Sequence, residues 1–297
     1  MIDTAAAVTA GRAAAERRRQ LRRDATRGAL RSVGRSLLTF ALTLVVVLLL
    51  WIGAIELFGV SPYVAKGPAD VWAFLVTDPD AAEHVALIRS DLWISLTDAF
   101  TGFVAGLVVA LLAATAFRLS RGVEQALMPI AMLLRSVPLI ALAPLIILVF
   151  GREVTTVAIV VGIVVVFPAL VTIVFGLRSA SPQMQDVIAV YGGNAWTALR
   201  KVALPASLPA LFAAVRISVP GALTGALLAE WLATGDGIGS TIQTASAQVQ
   251  FSLVWSAVVV VTAVSLVLYN VVQLLEGLVL SRMGMTARQG GPAGARG

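Results

Sequence analysis

The chain has 297 residues, of which 59% are apolar and only 13% are charged, and it contains no cysteine. Soluble globular proteins carry about 25% charged residues, so this composition, with a mean hydropathy of +0.92, excludes an ordinary soluble domain and indicates membrane-spanning helices. Without cysteine, the chain has no disulfide, no thiolate metal site and no cysteine nucleophile. Its net charge of +6 is concentrated in a few segments.

Residues 1–35 form a basic segment ahead of the first apolar stretch. Its nine arginines are Arg12, Arg17, Arg18, Arg19, Arg22, Arg23, Arg27, Arg31 and Arg35. The segment has no aromatic residue that could stack on bases and it adjoins an apolar stretch, so nucleic acid is a poor candidate partner. We predict a cytoplasmic segment facing an anionic lipid leaflet. Its long basic region and the lack of a clear cleavage site argue against a secretory signal peptide.

Six apolar stretches are long enough to cross about 30 Å of hydrocarbon as helices. They lie near residues 36–56, 93–116, 126–150, 154–176, 208–231 and 254–280. We therefore predict an all-α membrane protein with six transmembrane helices. By domain, residues 36–84 hold the first helix and an extracytoplasmic loop, and residues 85–281 hold the core. Residues 282–297 are rich in Gly, Ala and Arg, which predicts a disordered cytoplasmic tail.

The loops between these stretches alternate in charge. Segments 117–125 and 177–207 carry arginine or lysine, whereas segment 57–92 is mainly acidic and segment 232–253 has neither arginine nor lysine. Positively charged loops stay in the cytoplasm, so the pattern predicts that both basic segments and both termini are cytoplasmic.

The loop at residues 181–205 is the most distinctive part of the chain. Ser181 followed by Pro182 is typical of a helix start, because a hydroxyl can cap the first turn and proline fits the first helical position. We predict a short helix to Tyr191. Gly192, paired with another glycine, is expected to end it, since glycine readily adopts the left-handed conformation.

A second short helix is predicted to follow. Asn194 can cap it, and the Leu204–Pro205 pair is expected to break it after Val202. The two helices would share an apolar face made of Val187, Val190, Tyr191, Trp196 and Leu199. Such a face needs a partner or the base of the bundle to cover it. From the residues alone, two interfacial helices lying on the lipid remain an alternative.

This loop resembles the EAA loop of the permease subunits of bacterial ABC importers, whose pattern is roughly EAA-x3-G-x9-I-x-LP. The matching positions here are Asp186, Ile188, Gly192, Val202, Leu204 and Pro205. Asp186 stands where glutamate is usual, and Val187 and Ile188 replace the two alanines. The resemblance implies that the loop is a coupling helix, with Tyr191 and Trp196 also in contact, seated in a cleft of an ATP-hydrolysing subunit.

The resemblance covers roughly residues 85–281. The blocks 95–114, 132–151 and 204–242 look like the nitrate/sulfonate/taurine branch of these permeases. It implies a type I ABC importer transmembrane domain in the bacterial inner membrane, with a peripheral first helix and a five-helix core. The implied partners are a second permease copy in a homodimer, two copies of a cytoplasmic ATPase and an extracytoplasmic substrate-binding protein. The implied solute is a small anion such as a sulfonate, taurine or nitrate.

The chain itself has no P-loop, so ATP and magnesium are expected on the partner ATPase and this chain is expected to bind no cofactor and to be no enzyme. His84 is the only histidine, which argues against a conventional metal site. Two rival functions remain from the residues alone. One is a secondary transporter or channel that works without an ATPase, and the other is a membrane scaffold or sensor whose basic tail is the working part.

Three ionisable residues stand out inside the predicted spans, where charges usually face a bundle interior or a water-filled cavity. Arg135 and Glu230 are candidates for the translocation path. For Arg135 the alternative is a structural arginine that pairs with a backbone carbonyl or snorkels inward. For Glu230 it is an interfacial carboxylate beside Trp231. For Arg216, near the cytoplasmic third of its span, a structural role is favoured because the side chain can reach the membrane boundary.

Overall fold

A computed structural model describes residues 42–283. The basic segment 1–35, the start of the first predicted span and most of the predicted tail lie outside the described residues. By internal contacts the chain divides into a unit that ends at Asp70 and a second unit from Val71 onward. In the first unit, helix α1 spans Leu42–Leu57 and is apolar. Helix α2, Pro68–Trp72, begins at the end of this unit.

The second unit is built from helices alone in the part that the structure describes, as the all-α prediction requires. They are α3 Ala81–Leu119, α4 Arg121–Arg135, α5 Leu139–Phe150, α6 Val154–Arg178, α7 Pro182–Val190, α8 Ala195–Ala198, α9 Leu204–Ala206, α10 Leu208–Ala229, α11 Gly237–Ala247 and α12 Phe251–Arg282. Wider π-helical turns lie at Ala73–Thr77, Leu199–Ala203 and Glu230–Thr234.

Four helices are long and apolar enough to cross a membrane: α3, α6, α12 and α10 with its π-helical extension to Thr234. Helices α4 and α5 make a fifth span if they are counted as one. Because the first predicted stretch begins outside the described residues, the count of six spans stays a prediction.

The predicted span over residues 126–150 is broken in the structure. Helices α4 and α5 meet at an angle of 102°, with the break at residues 136–138. Pro138 explains the break, because proline lacks an N–H and disfavours helical geometry in the residue before it. Its own backbone is extended, at φ −61° and ψ 121°.

Helix α3 begins at Ala81, twelve residues before the predicted start of its span at residue 93, and it contains 39 residues. At 1.5 Å per residue it is about 58 Å long, well over the hydrocarbon thickness. Glu83, Arg89 and Asp91 removed the hydropathy signal from its first turns, although charged residues of this kind are compatible with a helix.

The core of the second unit forms where α6 packs between α3 and α10. Two glycines of α3 allow this approach: a Cβ on Gly102 would lie 2.3 Å from the Cβ of Val161, and one on Gly106 would lie 2.9 Å from the carbonyl oxygen of Gly162. Small residues commonly permit such close helix contact in membrane bundles. A buried apolar cluster at one end of this core includes Ile173, and the segment 182–206 packs on it.

Candidate functional site

Helix α7 ends in a Schellman motif formed by two glycines. The N–H of Gly193 donates to the carbonyl of Ile188 at 2.8 Å, and the N–H of Gly192 donates to the carbonyl of Ala189 at 3.0 Å. Gly192 adopts a left-handed conformation with φ +77°. This confirms the prediction that Gly192 ends the helix by adopting the left-handed conformation, which the motif requires at this position.

Only one of the two predicted helix caps forms. Asn194 accepts a hydrogen bond from the N–H of Thr197 at 2.9 Å, which confirms the cap of α8. The predicted cap by Ser181 is wrong, because its hydroxyl donates to the side-chain oxygen of Gln183 at 2.5 Å instead. Pro182 does occupy the first helical position of α7, where its missing N–H leaves no bond unmade.

The predicted helix break at Leu204 and Pro205 is also wrong. The chain stays helical to Ala206 and bends only at Ser207. The π-helical turn Leu199–Ala203 lies directly before the proline. We attribute the continuity to this turn, because it contains an extra residue and so shifts the hydrogen bonds that a proline would otherwise disrupt.

The segment 182–206 presents an exposed apolar knuckle. Val190 and Tyr191 are 84% and 86% exposed, although both are large apolar or aromatic side chains. Met184, Val187 and Trp196 are each more than half exposed. These five residues are called the knuckle below. Exposed apolar groups of this size, gathered on one short segment, are typical of a contact surface.

Other predicted coupling residues anchor the segment instead of facing outward. Val202 is buried, and Ile188 and Leu204 pack partly buried against the core cluster. Leu199 was predicted in the apolar face, and that prediction is wrong because it is only 1% exposed. Of the remaining predicted positions, Asp186, Tyr191, Gly192 and Trp196 are exposed, and Pro205 is half-buried.

Polar contacts also hold the segment to the ends of neighbouring helices. Arg118, near the end of α3, donates to the side-chain oxygen of Gln185 in α7 at 2.5 Å. Gln185 in turn donates to the carbonyl of Ala180 at 3.2 Å. Close by, Arg178 at the end of α6 forms an ion pair with Glu124 of α4. These contacts fix the segment that carries the knuckle to the end of α3, and they brace the neighbouring ends of α4 and α6.

Arg135 is the last residue of α4 and lies directly at the break between α4 and α5. Its side chain is exposed and has no acidic partner within residues 42–283. A cation at the carboxyl end of a helix is favoured by the helix dipole. The structure therefore places this arginine at an interrupted helix, which is the kind of element that membrane transporters use around their substrates.

Glu230 is completely buried within a small polar cluster. Its Oε2 accepts hydrogen bonds from the hydroxyl of Ser95 and from the N–H of Gly239, both at 2.8 Å. The same hydroxyl accepts the N–H of Ile238 at 2.9 Å. The carboxylate therefore lies against the amino end of α11, where free N–H groups and the helix dipole favour negative charge.

Glu230 is fully buried whereas its neighbour Trp231 is 49% exposed, so the carboxyl group of Glu230 faces the interior of the helix bundle. Its second oxygen, Oε1, has no hydrogen-bond partner in the described part of the chain. The backbone approaches the carboxyl closely, because a Cβ on Gly237 would lie 2.6 Å from its Cδ. Sequence reasoning missed this cluster, although the glycine spacing 235, 237 and 239 just after Glu230 was a usable signal.

Arg216 pairs with Glu276 across two spans. Its Nη1 donates to Oε2 of Glu276 at 2.9 Å, and both side chains are largely buried. The guanidinium carbon also lies 5.8 Å from the ring centroid of Tyr269, within the range of a cation–π contact. This supports the structural role predicted for Arg216, with a partner 60 residues away that the sequence did not identify.

Comparisons with known proteins agree on one family. The family model described as "Binding-protein-dependent transport system inner membrane component" matches residues 102–284. A riboflavin transport system permease protein of Chloroflexus aurantiacus is 30% identical over 80% of this chain and 87% of its own length. A formylaminopyrimidine transport permease protein of Halalkalibacterium halodurans is 24% identical over 74% of this chain and 86% of its own. Further relatives are named for aliphatic sulfonates, bicarbonate and taurine.

A solved structure shows the same fold. It is described as the crystal structure of an amino acid ABC transporter with histidines, and it matches with a TM-score of 0.52. The match covers 68% of this chain and 96% of the other, at 18% sequence identity. The likeness therefore confirms the predicted permease fold.

Proposed function

The chain belongs to the binding-protein-dependent transport family of ABC permeases, and from that premise we propose that it forms the translocation path of an importer and couples to a separate ATPase through the knuckle. The observation that carries the coupling is the exposure of Val190 and Tyr191 on a braced helix end. Exposure of such large apolar side chains to water is unfavourable, and an apolar cleft on a partner would bury them.

The proposed assembly has two copies of this chain, two cytoplasmic ATPase subunits and one extracytoplasmic substrate-binding protein. ATP and magnesium bind to the ATPase subunits. Closure of the ATPase dimer would draw the two knuckles together and open the core outward. The binding protein would then release its solute into the cavity, and hydrolysis would return the core to the inward state. The break between α4 and α5 supplies a bent element for such a motion.

The proposed orientation is supported by the charges at the knuckle end. Arg118, Arg121 and Arg178 lie at the ends of α3, α4 and α6, next to the segment 182–206. Positively charged ends remain in the cytoplasm of bacterial inner membranes. We therefore place the knuckle and both termini in the cytoplasm, and the Glu230 cluster towards the opposite side.

For the solute we propose a small anion, such as a sulfonate, taurine or nitrate. The observation that favours it is Arg135, an exposed cation without an acidic partner in residues 42–283 and situated at a broken helix. Relatives are named for aliphatic sulfonates, taurine and bicarbonate, which are small and bear an anionic group. Others are named for riboflavin and formylaminopyrimidine, so the family alone does not select the anion.

The coupling proposal is tested by co-purification from the native membrane. Tyr191→Asp places a charge at the most exposed point of the knuckle and should abolish recovery of a P-loop ATPase. Val154→Asp is the matched control, because Val154 is 59% exposed at the other end of α6. Leu204 is unsuitable for substitution, since it packs against the core cluster. Equal recovery of the ATPase with both variants, each still inserted, would reject the knuckle as the dock.

A further inference from the structure

A cavity of about 850 Å³ lies beside the knuckle, between α3, α4, α6 and α7. Its polar lining includes three arginines, Arg118, Arg121 and Arg178, against one acidic residue, Glu124. At neutral pH these four side chains carry three positive charges and one negative charge. The cavity therefore attracts anions.

Two of the three guanidinium groups lack a counterion. Arg178 is paired with Glu124, but Arg121 is exposed and has no acidic partner within the described residues. Arg118 bonds the neutral side chain of Gln185, and its buried Nε has no hydrogen-bond partner in residues 42–283. A buried donor without a partner is unfavourable, and a phosphate oxygen would satisfy it.

Apart from Gln125 and Gln185, the rest of the lining is apolar. Its floor consists of the buried residues Ala114, Phe117, Val174 and Leu177. Along one wall, Glu124, Met128 and Met132 follow at four-residue intervals on α4, so the wall changes from charged to apolar over two helical turns. The cavity thus has a cationic rim and an apolar wall that leads away from it.

We propose that this cavity binds an anionic phospholipid, with the phosphate between Arg118 and Arg121 and the acyl chain along Met128 and Met132. A free inorganic anion would use the rim and leave the apolar wall without a role. The ends of the chain itself are unsuitable occupants. Segment 1–35 carries nine arginines against three acidic residues, and segment 284–297 has two arginines and no acidic residue, so both are repelled by the rim.

Lipid binding at this cavity would also affect coupling to the ATPase. This consequence rests on the proposed function. Gln185 belongs to α7 and both lines the cavity and accepts the hydrogen bond of Arg118. A lipid phosphate at Arg118 would therefore reinforce the bracing of the knuckle. Lipid binding itself requires no ATPase, so the binding site and the proposed dock can fail independently.

The test is native mass spectrometry of the full chain, delipidated in detergent and titrated with phosphatidylglycerol or with phosphatidylcholine of the same acyl chains. We expect several-fold higher occupancy by phosphatidylglycerol. Arg121→Gln should lower the affinity for phosphatidylglycerol by about tenfold or more, the loss of about one charged hydrogen bond. Glu124→Gln should raise it, because it releases Arg178. Arg152→Gln is the control and should change nothing, since this exposed arginine lies in the turn before α6.

Three results would overturn the proposal. The first is equal occupancy by the two lipids in the native chain. The second is an equal loss with Arg121→Gln and Arg152→Gln. The third is displacement of phosphatidylglycerol by inorganic phosphate at a matching concentration, which would assign the rim to a free anion instead.

Discussion

Ser95 and Glu230 are 135 residues apart in the chain, and the hydroxyl of Ser95 donates a 2.8 Å hydrogen bond to the carboxylate of Glu230. The same hydroxyl accepts the N–H of Ile238. One serine of α3 therefore joins the end of α10 to the beginning of α11. Because both groups are buried, this contact links three helices in a place where water cannot replace it.

Replacing Ser95 by alanine should therefore destabilise the chain. The change removes one hydrogen bond to the carboxylate and leaves the N–H of Ile238 unpaired, an expected loss of about 2–4 kcal/mol for the two buried groups together. The unfolding midpoint in detergent is the measurement. Ser90→Ala is the control on the same helix, because Ser90 is exposed and its hydroxyl bonds only locally. Equal midpoints for the two variants would contradict the bridging role.

Two glycines near Glu230 allow strain and crowding to be separated. Gly235 and Gly237 have nearly the same positive φ, +79° and +82°, but only a Cβ on Gly237 would press on the Glu230 carboxyl. Gly235→Ala should cost about 1–2 kcal/mol of backbone strain. Gly237→Ala should lower the unfolding midpoint clearly further. If the two variants have the same unfolding midpoint, the carboxyl group of Glu230 does not occupy the position described.

The pair of Arg216 and Glu276 is suited to a double-mutant cycle. Arg216→Gln leaves a largely buried carboxylate unpaired, and a loss of about 3 kcal/mol is expected from pairs of this kind. Glu276→Gln should be similarly harmful, and the double variant should recover most of the loss. The midpoints of all four chains are compared in one detergent. Additive losses in the double variant would show that the two residues do not interact.

Gly192 permits a test of the turn that shapes the knuckle. Its φ of +77° excludes β-branched residues, whereas asparagine tolerates this conformation. A Cβ there would meet no atom within 4 Å, so crowding plays no part. We expect Gly192→Asn to retain ATPase recovery and Gly192→Val to lose most of it. Retention by both variants would show that the turn geometry is unimportant for docking.

Arg135 is tested by solute uptake into proteoliposomes that contain the whole transporter. Arg135→Gln should lower uptake of an anionic solute by about tenfold or more, because a charge-assisted contact contributes about 1.5–3 kcal/mol. Arg152→Gln is the control, with an exposed arginine in the turn between α5 and α6. The stability of the variant is checked in parallel. Unchanged uptake would exclude Arg135 from the path.

Local features of the chain were predictable where short-range rules decide them. The glycine stop at Gly192 and the cap at Asn194 depend only on residues within one turn, and both are present. The Ser181 cap failed because its hydroxyl had a closer side-chain acceptor in Gln183. The helix through Pro205 could not be predicted, since it depends on a π-helical turn that carries no simple sequence signal.

Contacts between residues far apart in the chain could not be predicted from local sequence patterns. Hydropathy located the apolar stretches but started one of them too late, because charged residues extend α3 on its amino-terminal side, back to Ala81. The partners of Glu230 and Arg216 lie 135 and 60 residues away, so no local pattern could connect them. The exposure of Tyr191 and the burial of Leu199, eight residues later, also follow from packing on the core.

The central claim is that the knuckle contacts an ATPase, and the absence of cysteine makes it directly testable. Single cysteines at Tyr191 and at Val154 can be crosslinked in native membranes without background from other cysteines of this chain, and the captured protein can be identified by mass spectrometry. We predict that Tyr191→Cys captures a P-loop ATPase and that Val154→Cys does not. Failure of Tyr191→Cys to capture one, or equal capture at both positions, would contradict the account.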